Sequence, residues 1–115
     1  MNVTEVPGSL LLIAEPQYID FTTDTELVPI IYESVEGLWE ANVQLDVPEG
    51  FVATPATLPA DVTTGTIDVE QFAVKDIGSD WSQTGITHRL KHKGKDIVIK
   101  SQAKMINRQP PKNKK

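Results

Sequence analysis

Nine consecutive residues constrain this chain more than anything else in it. From Trp39 to Val47, Trp39, Ala41, Val43, Leu45 and Val47 alternate with Glu40, Asn42, Gln44 and Asp46. Apolar residues recurring at every second position define a strand with one dry and one wet face, because successive β side chains point to opposite sides. The run stops at Pro48-Glu49-Gly50, a turn signal. Upstream lies the short β-branched run Leu27-Val28-Pro29-Ile30-Ile31-Tyr32, set off by Glu36-Gly37. Downstream, Ile86 to Leu90 and Ile97 to Met105 flank Lys93-Gly94, the signature of a hairpin.

Between these, Ile67 and Val69 share one parity and Phe72 and Val74 the other. A β-bulge near Glu70-Gln71 is expected to restore the inward set, the alternative being the end of one strand and the start of another. Further turns are expected at Val6-Pro7-Gly8, Glu15-Pro16, Pro55 to Pro59 and Gly78-Ser79, and no capped window carries helical spacing. The expected fold is an all-β, single antiparallel sandwich of about seven strands over residues 1–107, with a basic Pro/Lys arm at 108–115. Its expected inner set is Leu12, Ile30, Trp39, Ala41, Val43, Leu45, Ile67, Val69, Phe72, Val74, Leu90, Ile97, Ile99, Ala103 and Met105.

The run Val47-Pro48-Glu49-Gly50-Phe51-Val52-Ala53-Thr54-Pro55-Ala56 resembles the strand and turn of immunoglobulin-like modules in bacterial surface proteins, carbohydrate-active enzymes and phage virion accessory proteins. In those modules an alternating strand precedes it, here Trp39–Leu45, and a Thr/Gly-rich turn and strand follow, here Thr63 to Val69. The resemblance spans roughly residues 27–105 and implies an immunoglobulin-like fold and a non-catalytic role. It carries over no catalytic or ligand residue.

With 115 residues there is room for one core. The absence of cysteine excludes disulfide scaffolds, thiol catalysis and cysteine-held zinc. The apolar stretch Leu10–Ala14 is too short for a signal peptide or a membrane span, so no membrane association is expected, and the chain either works in the compartment where it is made or is a piece of something larger. His88 and His92 have no carboxylate that completes a metal motif and read as polar residues of an edge hairpin. Neither Asp76–Asp80 nor Asp20, Asp24 and Glu26 matches a calcium loop. Phosphate-loop, nucleophile-elbow and dinucleotide fingerprints are absent, so no enzyme and no cofactor are expected. Trp81, in an expected loop, is the one candidate anchor for a glycan.

The net charge of −5 conceals a split. Residues 1–87 hold fifteen carboxylates and one lysine, Lys75, for −14; residues 88–115 hold ten cations and one acid, Asp96, for +9. The cations are Arg89, Lys91, Lys93, Lys95, Lys100, Lys104, Arg108, Lys112, Lys114 and Lys115. They neutralise acidic strands of the same sandwich, meet the acidic face of another copy, or bind an external polyanion. Residues 88–115 contain no Phe, Trp or Tyr, so stacking on single-stranded nucleic acid is not expected. The expected function is a structural module acting by protein–protein contact in a virion or surface array. The alternative is a glycan- or wall-polymer-binding module.

Overall fold

A computed structural model describes residues 2–5, 10–77 and 82–107, with side chains for 10–77 and 82–106. Trp81 and the arm from Arg108, with Lys112, Lys114 and Lys115, lie outside the described residues, as do the turns expected at Val6–Gly8 and Gly78-Ser79. The described residues are all-β, in ten strands and two five-stranded sheets. The first sheet has the order β1 (Asn2–Glu5), β2 (Leu11–Glu15), β4 (Thr25–Ser34), β8 (Ile67–Asp76), β6 (Phe51–Thr54). The second has the order β3 (Tyr18–Phe21), β10 (Lys95–Asn107), β9 (Gln83–His92), β5 (Trp39–Asp46), β7 (Thr57–Val62). Ten strands stand where about seven were expected, four of them, β1, β3, β6 and β7, being short strands at the sheet edges. Pairing is antiparallel except where β3 runs parallel to β10.

Local chemistry explains most of the frame. Lys93 and Gly94 both take positive φ, 52° and 77°, as a two-residue hairpin turn between right-twisted strands requires. Gly50 (φ 94°) closes the turn after Pro48 and delivers Phe51 into the core against Phe21, ring centroids 5.4 Å apart. The turn expected from Pro55 to Pro59 ends early, since β7 begins at Thr57. Pro59 is tolerated there because an edge strand has a side with no partner to serve. Pro29 stands mid-strand in β4, but beyond the end of the pairing with β2, where β4 is flanked on one side only.

β5 is regular: Trp39, Ala41, Val43 and Leu45 are buried, and Glu40 and Asp46 are exposed. Ile30, Phe72, Val74, Leu90, Ala103 and Met105 are buried as expected, and Ile97 and Ile99 pack half-buried against the same core. Three inner positions are corrected. β4 pairs with β8 without interruption from Thr25↔Lys75 to Glu33↔Ile67, so there is no bulge at Glu70-Gln71. Fully buried Phe72 and Val74 set the phase of the whole strand. Ile67 and Val69 therefore point outward, 61% and 55% exposed, and Asp68 and Glu70 point between the sheets. Leu12 is only half-buried: in a run apolar at every position, the interior takes Leu11 and Ile13, which brings Glu15 inside.

Candidate functional site

The inward turn of Glu15 has a partner. Tyr32 on β4, His88 on β9 and Glu15 on β2 meet between the sheets, each no more than 1% exposed. Tyr32 Oη lies 2.5 Å from His88 Nδ1, and His88 Nε2 lies 2.6 Å from Glu15 Oε2. Burial pushes the Tyr32 hydroxyl far above its usual range, reinforced by the charges of Glu15, Glu70 and Asp68. The phenol thus keeps its proton and, with Nε2 turned to the Glu15 carboxylate, donates a hydrogen bond to Nδ1. That fixes the imidazole hydrogen on Nε2, which donates to Glu15. Every polar atom of the ring is satisfied.

A hydroxyl, imidazole and carboxylate in this order match the sequence of groups in a nucleophilic triad. Here the hydroxyl is sealed in the core, and the chain of hydrogen bonds ties the two sheets together. Beside it, Glu70 is pushed up to about 7, by burial first and then by its hydrogen bond to Asp68 and the charge of Asp68. Both histidines were expected on an edge hairpin. β9 is instead flanked by β10 and β5, and both rings are buried. His92 stacks on Trp39 at 4.1 Å and 5° and hydrogen-bonds the Leu38 carbonyl through Nδ1, 2.9 Å away. Gly37 (φ 85°) is required there, since a Cβ would stand 2.7 Å from His92 Cε1. Among the described residues, no three His, Asp or Glu side chains are grouped to hold a metal ion.

The outer faces of the two sheets differ. On the second sheet, Arg89, Lys91, Lys100 and Lys104 face outward among Glu40, Asp46, Asp61 and Asp96. Lys91 stands opposite Glu40 on β5 and Asp96 on β10, and Arg89 donates to Gln44 Oε1 at 2.8 Å. Lys93 and Lys95 sit apart at the hairpin end. The described cations thus interleave with acids and do not form a uniform basic face.

The outer face of the first sheet is largely apolar, with Thr25, Thr54 and Gln71 as uncharged polar side chains on it. Leu27, Pro29 and Ile31 on β4, Ile67, Val69 and Ala73 on β8, and Val52 on β6 all point to it. Leu27 is 55% exposed and Val52 44%. Among the described side chains of this face only Glu33 and Lys75 are charged. Sequence reasoning missed this surface because it placed Ile67 and Val69 in the core. The signal was present: Asp68 and Glu70 break the other parity, and assigning either pair inside leaves a conflict.

No family model matches the chain, and no curated protein matches it. Among solved structures, it is similar to the crystal structure of the periplasmic chaperone SfaE, with a TM-score of 0.53 and 12% sequence identity over 88% of this chain. The chain spans 61% of the length of that chaperone. At this identity the likeness is one of fold: two packed β-sheets.

Proposed function

We propose that this chain is a non-enzymatic structural module, an immunoglobulin-like sandwich that acts by protein–protein contact within a larger assembly such as a virion or a surface array. The observation that carries the reading is the outward apolar set of the first sheet, Leu27, Ile31, Ile67 and Val69 on adjacent strands. Contiguous exposed apolar surface on a folded domain marks a contact site, since single scattered residues would suffice by chance. β8 supplies it at a cost, because its acids must then go inside. The closed hydroxyl–imidazole–carboxylate chain supports a bracing role for this cluster of catalytic residue types. The two-sheet likeness to the chaperone supports the immunoglobulin-like assignment, with extra edge strands.

A photo-cross-linking amino acid at position 69, and separately at position 102 on the outer face of the second sheet, tests this in the native host. Adducts to protein are expected from 69 and not from 102. A chain that gives no adduct from 69 is not a contact module of this kind.

A further inference from the structure

We infer that the outer face of the first sheet packs against the same face of a second copy of this chain across a two-fold axis, with Glu33 of each copy beside Lys75 of the other. This rests on the reading of that face as the contact surface and adds its occupant.

The two charges sit at opposite ends of the face. β4 and β8 pair with Pro29 opposite Gln71. Glu33 lies four residues from Pro29 toward one end of the ladder, and Lys75 lies four residues from Gln71 toward the other. A two-fold axis running across the strands over this central pair reverses strand direction while facing the sheets together. It brings the Glu33 end of one copy over the Lys75 end of the other, twice. An axis along the strands would set like charges together, so of the two arrangements that keep the strands of both copies aligned the charges select the first. Both side chains are exposed, and neither has an ion-pair partner among the described residues.

The surface between them suits that contact. Face-to-face sheets sit about 10 Å apart, a gap that interdigitated Leu27, Ile31 and Val69 fill and that extended Glu and Lys side chains span. β4 and β8 are interior strands of the sheet, so the axis passes close to its middle. A chain of net charge −5 resists meeting its own copy, and this face, with one described charge of each sign, is where that resistance is least. A closed two-fold pair also covers the apolar face without leaving a surface for open-ended growth.

Sedimentation of the full chain over a hundredfold concentration range tests the inference. The parent is expected to pass from monomer to dimer, with no larger species. Glu33→Lys or Lys75→Glu alone is expected to weaken the dimer at least tenfold, and the double exchange to restore it. Circular dichroism checks that each variant is folded. A parent that stays monomeric, or a dimer indifferent to both single exchanges, overturns the inference. Monomer together with a position-69 adduct to a protein of another mass overturns the second copy and leaves the contact reading standing. Monomer with no adduct overturns both.

Discussion

β5 and β8 carry the same sequence signal and use it in opposite ways. Each has apolar residues at alternate positions, yet β5 turns all of them inward, and β8 turns Ile67 and Val69 to the surface and its acids inward. Alternation fixes the period of a strand. Its phase is fixed by whatever the neighbouring strands can least tolerate outside, and in β8 that is Phe72 and Val74. The first half of β8 follows the second through an unbroken ladder. The comparison predicts where an identical chemical change has opposite consequences.

The largest effect belongs to β5. Val43 is fully buried, paired with Leu58 on one side and His88 on the other. Val43→Asp places an unpaired carboxylate on the dry face and should destabilise the fold by about 3–5 kcal/mol. Urea unfolding at low protein concentration measures it. A midpoint equal to the parent's would mean that β5 is out of phase as well.

Much of the fold follows from the sequence for this reason. β5, the β9–β10 hairpin and the turn at Pro48–Gly50 follow from alternation and turn chemistry, and the turn at Thr63–Thr66 from the resemblance. What escapes is phase, in segments where both parities offer a plausible interior. Leu10-Leu11-Leu12-Ile13 is apolar at every position, and only the contact of Glu15 with His88, 73 residues away, shows which set is inside. The histidines were misplaced for a related cause: a hairpin is an edge only if no strand joins it, and β5 does. The apolar outer face was hidden by the rule that apolar residues go inside, which holds for most strands and fails for Ile67 and Val69 on β8.

The next effect tests whether the polar interior is a brace. Tyr32→Phe removes the hydroxyl that donates to His88 Nδ1 and leaves that nitrogen buried without a partner. A loss of about 1–3 kcal/mol is expected, the cost of an unsatisfied buried acceptor. The amide protons of β2 and β9 should exchange faster as the sheets loosen. A variant as stable as the parent would show that the geometry contributes nothing to stability.

A smaller effect reads the acids that β8 turned inward. Glu70 ionises near pH 7 in the folded chain against 4.5 when free. Between those values the folded state binds more protons than the unfolded one, so stability should fall as pH rises from about 4.5 to about 7 and then level off. Solvent reaches this half-buried site, which reduces the effect to about 1 kcal/mol. Glu70→Gln should flatten that segment of the stability–pH curve and leave the chain more stable than the parent at pH 8. A parent curve that rises through the interval would mean that Glu70 gains a favourable partner when ionised.

The smallest effect returns to the comparison directly. Val69→Asp is the Val43→Asp change moved to the surface half of β8. Water solvates the new carboxylate, and what is lost is the preference of a β-branched side chain for a strand, less than about 1 kcal/mol. Dimer formation would confound this number, since a partner that binds only the folded chain adds to its apparent stability. The unfolding midpoint must therefore be read at concentrations where the parent is monomeric. There the two variants should differ by several kcal/mol for one and the same substitution. At high concentration the ordering of effects changes: Val69→Asp should abolish association that Val43→Asp, wherever it folds, leaves intact. If Val69→Asp instead unfolds the monomer, the strand is bulged after all, Ile67 and Val69 lie inside, and the apolar face does not exist.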